Sequence, residues 1–160
     1  MGAVAVVVES IEARYERAYA ELSGSVFRFL VAWTNDWSSA QDLTQEAFLR
    51  LWANRASLDW ERPVLGWLLV VSRRLASNRF RSLRRAIQNG APSGFPDESV
   101  RVRWLDVCES LGKLTSLERA SLMMTAIDGW SYGELAPLLD TTEAALRSAV
   151  SRARAKLEDA

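Results

Sequence analysis

The sequence predicts an all-α fold: two small helical domains joined by a flexible linker. Three features carry that expectation. Apolar residues recur at helical spacing along most of the chain, and no alternating strand pattern persists beyond the valine-rich start. Ser39-Ala-Gln-Asp42, Thr115-Ser-Leu-Glu118 and Ser131-Tyr-Gly-Glu134 each fit the capping box, whose side chains satisfy backbone N–H groups left unpaired at a helix start. One stretch, Asn89-Gly-Ala-Pro-Ser-Gly-Phe-Pro-Asp-Glu-Ser99, interrupts the helical pattern.

Helices are expected at 11–22, 25–34, 39–54, 63–86, 104–112, 116–127, 131–139 and 142–158. Pro63 suits a first helical turn, where its missing N–H costs nothing. The N-terminal domain then covers 10–88, the linker 89–103 and the C-terminal domain 104–160. Extended, that linker reaches at most ~50 Å, so two domains joined by it are able to sit on separate patches of one large partner.

With 160 residues, 49% of them hydrophobic, the chain is able to build a packed core. Histidine is absent and Cys108 is the only cysteine. That excludes a disulfide framework, a Cys/His zinc site and a histidine-based triad. Cys108, set amid Leu and Val, reads as a small buried hydrophobe. No Gly-rich phosphate loop or metal-ligand cluster is present, so neither cofactor nor metal is expected, and the chain is read as a binding protein rather than an enzyme. The apolar run Ala3–Val8 is too short for a membrane span and lacks the basic flank of a secretory signal, which places the protein in the cytoplasm.

Net charge is zero, yet its distribution is uneven. Residues 55–86 carry eight basic and two acidic side chains, and residues 143–160 carry four and three; the rest is acidic in balance.

Within 39–54, Leu43, Ala47, Phe48 and Leu51 share one side and are expected to face a core. Asp42, Gln45, Glu46 and Leu49 gather opposite. That outer face reads either as an ordinary solvated surface with one stray leucine or as a partner-binding stripe.

In 63–86, Leu68, Val71 and Leu75 line one face, flanked by Ala76 and Leu83. Arg73, Arg74, Arg81, Arg84 and Arg85 fall on another arc, with Ser77 among them and Asn78 at its edge. Guanidiniums crowded on one face repel one another unless an anion meets them, and phosphate matches their planar fork of donors. The competing reading is a solvated basic surface, or pairing with Asp36 or the acidic linker. Just upstream, Trp60 in Ser57-Leu-Asp-Trp-Glu-Arg-Pro63 suits stacking on an unpaired base or plugging the core edge. Trp67 is assigned to packing.

Ser131–Leu139, a turn at Asp140-Thr141 and Thr142–Glu158 form a candidate helix-turn-helix. Leu146, Val150, Ala153 and Leu157 make its apolar stripe. Arg147, Ser148 and Ser151 are placed to read base edges, while Arg152, Arg154 and Lys156 are placed to hold phosphates. Pro137 is expected to kink or shorten the first helix.

Taken together and in order, these segments resemble the extracytoplasmic-function sigma factors, the two-domain bacterial subunits that direct core RNA polymerase to promoters. Asp42-Leu-Thr-Gln-Glu-Ala-Phe-Leu-Arg-Leu-Trp52 looks like the core-binding helix of region 2, and Gly66-Trp-Leu-Leu-Val-Val-Ser-Arg-Arg-Leu-Ala-Ser-Asn-Arg-Phe80 like the helix that reads the −10 element. Leu114-Thr-Ser-Leu-Glu-Arg119, Gly129-Trp-Ser-Tyr-Gly-Glu-Leu-Ala136, Arg147-Ser148 and Arg152-Ala-Arg154 look like region 4 and its −35-reading helix.

The resemblance implies that Asp42, Gln45 and Glu46, with Leu49 and Trp52, grip the clamp helices of the largest polymerase subunit, while region 4 meets the flap of the second. It implies that the loop Leu58–Arg62 captures a flipped −10 base. Trp60, Arg62, Arg73, Arg74, Ser77, Asn78, Arg81, Arg84 and Arg85 would then contact −10 DNA. Thr142, Arg147, Ser148, Ser151, Arg152 and Arg154 would contact the −35 element. An anti-sigma factor is an implied partner. Asp140, Glu143 and Ala149 depart from the family pattern, as Pro137 does, and imply that region 4 either binds DNA weakly or mainly serves a protein contact. The alternative function is a sigma-like mimic that sequesters an anti-sigma factor without touching promoter DNA.

Overall fold

The computed structural model describes residues 9–83 and 109–159, with side chains left out at 80–83. The expected linker and Cys108 lie outside the described residues, as do Ala3–Val8, Arg84, Arg85 and the side chain of Arg81. The helices are α1 (Ile11–Thr34), α2 (Trp37–Asn54), α3 (Val64–Leu83), α4 (Ser116–Ala126), α5 (Tyr132–Leu138) and α6 (Glu143–Glu158). A helical turn at 109–112 precedes α4, and the described residues contain no strand. None of these helices is long and apolar enough to cross a membrane.

The expected break at Ser23-Gly24 does not occur, and α1 runs unbroken for 24 residues. An interior glycine costs about 1 kcal/mol relative to alanine. Complete burial of Val26, Phe29 and Leu30 just beyond it outweighs that cost. The helix ends at Asn35, whose φ of 53° is left-handed and whose amide bonds the Val31 carbonyl. Asp36 then caps α2, its carboxylate accepting from the Ser39 amide at 3.0 Å. Helix α2 thus starts at Trp37 rather than at the expected Ser39 cap, because the anionic cap Asp36, three residues earlier, takes the orphan N–H. This two-residue turn folds α2 back along α1, as the edge-on ring pairs Tyr15–Trp52, Tyr19–Phe48 and Phe27–Trp37 show. Phe29, Phe48, Leu51, Leu68 and Leu69 fill the space between α1, α2 and α3.

Both C-terminal capping boxes form as expected. Thr115 and Glu118 exchange side-chain-to-amide bonds at the start of α4, and Ser131 and Glu134 do so at α5. Pro137 lies inside the seven-residue α5, which continues past it to Leu138 and closes with the Leu139 amide on the Leu135 carbonyl. Asp140 makes the turn into α6 with a φ of 54°.

The two groups of helices are not separate in space. Ala120, Met124, Leu135, Ala136, Leu139 and Leu146 join the same buried cluster as the α1–α3 core. Composition at 89–103 marks a break in helical pattern; it carries no information about the apolar and polar patches that bring the two groups together.

Left-handed backbone at a residue with a Cβ is costly, though least so for Asn and Asp. Replacing Asp140 by Gly is therefore expected to stabilise the fold by up to about 1 kcal/mol, read as a higher urea midpoint at unchanged slope.

Candidate polymerase and nucleic-acid interfaces

On α2 the inward set Leu43, Ala47, Phe48 and Leu51 is buried, and Asp42, Gln45 and Leu49 are exposed, as the spacing predicts. Leu49 is 62% exposed, an unusual position for a leucine flanked by polar neighbours. The outer carboxylates are not idle: Asp42 accepts from Arg79 of α3 at 3.1 Å, and Glu46 from Arg50 at 3.1 Å. Trp52 lies beneath the Arg55 guanidinium, 3.9 Å from its ring centroid. Tyr15 meets the Trp52 ring edge-on, Tyr19 meets Phe48 likewise, and Ile11 and Tyr19 are exposed on α1; sequence reasoning missed all three. Their signal was present, since 11, 15 and 19 recur every fourth residue along α1. Burial, reinforced by the neighbouring Tyr19, raises the Tyr15 phenol above its ordinary value. Two ring pairs thus bridge α1 and α2, and Tyr19 and Trp52 keep part of their rings exposed.

The loop between α2 and α3 is built by its own side chains. Asp59 accepts from the Glu61 amide at 3.1 Å and pairs with Arg62 at 3.4 Å. Trp60 is half-buried and donates Nε1 to the Arg55 carbonyl at 2.9 Å, which holds its ring at the core edge. A mostly apolar cavity of about 440 Å³ lies between this loop and α3, lined by Leu58, Asp59, Arg62, Pro63 and Trp67 among others. That volume suits a small ligand.

On α3, Arg74 and Asn78 are exposed and Ser77 is half-buried. Arg73 departs from the expected open arc. It is half-buried, and its Nε is enclosed with no hydrogen-bond partner among the described residues. The reason is position: Leu69 and Ala76, one turn away on either side, are fully buried, so Arg73 sits at the edge of the core stripe.

In the helix-turn-helix, Thr142 caps α6 by accepting from the Ala145 amide at 3.2 Å. Ser148, Ser151 and Arg154 are exposed. Arg147 pairs with Glu143 at 3.3 Å and lies 5.4 Å from the Tyr132 ring centroid. Ala149 is fully buried, so it packs the helix and replaces no surface contact.

Arg152 is the main revision on this face. Its Nε donates at 3.1 Å to Glu118, and Lys156 donates to the other oxygen at 2.8 Å. Glu118 is only 3% exposed. Burial by itself would raise its carboxyl, but bonds from Lys156, the Thr115 amide and Arg152 overcome that and hold it down at about 2. Both basic side chains, expected to hold phosphates, therefore anchor α6 to α4.

Comparison with known proteins accords with this geometry. The model of sigma-70 region 2 matches residues 18–86, and that of sigma-70 region 4 matches residues 107–157. The ECF RNA polymerase sigma factor SigL of Mycobacterium tuberculosis is 29% identical over 86% of this chain and 83% of its own length. The probable RNA polymerase sigma-C factor of Mycobacterium bovis is 32% identical over 84% of this chain and 77% of its own. Among solved structures, CnrH in complex with the cytosolic domain of CnrY superposes with a TM-score of 0.69 and 25% identity, covering 94% of this chain and 88% of that one. The sigma factor RpoE of Bartonella quintana, in complex with the anti-sigma factor NepR, superposes with a TM-score of 0.76 at 19% identity, covering 91% and 94%.

A two-part helical factor of transcription initiation is the class that this fold and these matches define. The chain belongs to the extracytoplasmic-function family of RNA polymerase sigma factors.

The Glu118 anchor gives a pH prediction. Its folded carboxyl lies below the ordinary value of 4.5, so its contribution is complete above that pH and is lost as pH falls from there towards about 2. Glu118→Gln is expected to cost about 2 kcal/mol in urea melts at pH 7, and the gap to the parent chain should narrow steadily below pH 4.5.

Proposed function

We propose that this chain binds core RNA polymerase through the outer face of α2 and contacts promoter DNA through α3, its preceding loop and α6. It works by binding, with no bond chemistry of its own, and acts in the cytoplasm. The domains are read as 10–88 for polymerase and −10 binding and 104–160 for −35 binding. The observation that carries the polymerase contact is Leu49: a leucine open to solvent, beside Trp52 and within a frame of paired charges. Asp42, Gln45 and Glu46 would rim that patch, where polar groups set register more than affinity. The clamp helices of the largest subunit are the proposed partner.

For DNA, Arg74, Asn78 and Arg62 are the described region-2 side chains best placed for backbone or base contact, and the loop cavity is the proposed receptacle for an unstacked base. Trp60, held by its hydrogen bond, would form the firm edge of that site rather than a swinging platform, and Arg73 would act from the rim. Arg81, Arg84 and Arg85 are proposed to continue the cationic face. Ser148, Ser151 and Arg154 would meet the −35 element, with Arg147 released from Glu143 on binding; Thr142 and Arg152 would set the helix that presents them.

An anti-sigma factor is the proposed regulatory partner, since the superposed RpoE is held by the anti-sigma factor NepR and the superposed CnrH is held by the cytosolic domain of CnrY. The mimic alternative draws on the departures from the family pattern in the helix-turn-helix, Ala149 among them. Its complete burial removes that support.

Run-off transcription with core enzyme tests the reading; a promoter-specific transcript is expected, and its absence overturns it. Two variants extend the test. Leu49→Asp should lower affinity for core at least tenfold, about 1.4 kcal/mol, while leaving the circular dichroism unchanged. Arg74→Ala should reduce the salt dependence of DNA binding by roughly one unit of slope.

A further inference from the structure

Glu143 has no role in the DNA contacts assigned above, yet it stands where a recognition helix reads bases. It is the first residue of α6, and the N-terminal part of such a helix is the part that meets base edges in the major groove. Its side chain is 53% exposed, and its carboxylate accepts from Arg147, one turn further on, at 3.3 Å.

Two neighbours hold this carboxylate in place. Arg147, its partner, is itself drawn towards the Tyr132 ring, 5.4 Å from the centroid. Across the turn, a Cβ added to Gly133 of α5 would come within 3.2 Å of Glu143 Oε1, so the bare backbone of Gly133 leaves the room that the carboxylate uses. Glu143, Arg147, Tyr132 and Gly133 together line a cavity of about 410 Å³ between the helices of the helix-turn-helix, and Arg154 lines it too.

Release of Arg147 makes Glu143 selective. Once the guanidinium leaves for DNA, a carboxylate that only accepts hydrogen bonds is left facing a polyanion. Phosphates, guanine O6 and N7 and thymine O4 offer it further acceptors, whereas cytosine N4 and adenine N6 donate. An amino group on the strand it faces therefore restores the bond that Arg147 gave up.

We propose that Glu143 is a specificity-determining residue of promoter recognition: freed from Arg147, its carboxylate accepts a hydrogen bond from the amino group of a cytosine or adenine in the −35 element. The proposal rests on the DNA reading of α6 given above. Arg147 reads a guanine with its fork of donors. Four residues of helix rise about 6 Å and one base-pair step about 3.4 Å, so the two bases lie one or two pairs apart. The negative charge thus chooses among sequences instead of merely loosening the grip on all of them.

The test uses holoenzyme assembled from core polymerase and the full chain. It is presented with the promoter of the run-off assay, the −35 element randomised, and the bound templates are sequenced. The parent should favour cytosine or adenine by at least about fivefold at one position, and guanine at another one or two pairs away. Glu143→Ala should level the first preference and keep the second; Arg147→Ala should do the reverse. Glu143→Gln should turn the first position to adenine, which an amide meets at both N6 and N7. Both side chains are exposed, and far-ultraviolet circular dichroism checks that helix content is unchanged in each variant.

Tighter binding of Glu143→Ala to every template alike, with the base preferences of the parent, reduces Glu143 to a repulsive charge and overturns the proposal while the DNA reading of α6 stands. Loss of the guanine preference in Glu143→Ala makes Glu143 a positioning residue for Arg147 and overturns direct reading. A parent that selects no base in the randomised element overturns the DNA reading of α6, and the proposal with it.

Discussion

Two adjacent side chains of opposite charge, Glu118 and Arg119, tie the C-terminal helices to everything else. Neighbouring helical positions point about 100° apart, so one short helix is able to hold two partners in different directions. Glu118 turns toward α6 and takes both Arg152 and Lys156; Arg119 turns toward α1 and takes the carbonyls at its end. Both are buried, and burial of an ion is costly unless hydrogen bonds replace its water. Each is satisfied several times over. The pair accordingly fixes where the recognition helix lies relative to α4, and where α4 lies relative to the α1–α3 core.

That arrangement sorts the basic residues by role. Arg152, Lys156 and Arg119 have carboxylate or carbonyl partners inside the molecule and act as struts. Arg74 and Arg154 remain at the surface with no carboxylate partner among the described residues. A positive side chain on a recognition helix is thus not in itself a DNA contact. Its nearest carboxylate decides, and Arg147 with Glu143 is the intermediate case, because an exposed pair contributes little and is readily exchanged for phosphate.

Much of this was legible in the sequence, and the reasons differ by element. The inward face of α2 followed from spacing alone because burial is a one-dimensional pattern on a helix. The capping boxes at Thr115 and Ser131 were legible because all their atoms lie within one turn. The Ser39 cap misled, since Asp36 offered an anionic cap three residues earlier. The break expected at Ser23-Gly24 failed because local propensity is weak against the packing of Val26 and Phe29. Pairings such as Glu118–Arg152 and Arg28–Asp128 span tens of residues and leave no local trace. The roles proposed for Asp42, Gln45 and Glu46 come from resemblance, because spacing by itself left that face open between an ordinary surface and a partner-binding stripe.

The account turns on whether the surface around Leu49, Trp52 and Tyr19 is covered by polymerase. Hydroxyl-radical footprinting measures it directly, because aromatic rings react in proportion to their exposure. Adding core enzyme should protect Trp52 and Tyr19 while leaving the oxidation of Trp130, beside the helix-turn-helix, less affected. Undiminished oxidation of Trp52 and Tyr19 in the complex would contradict it.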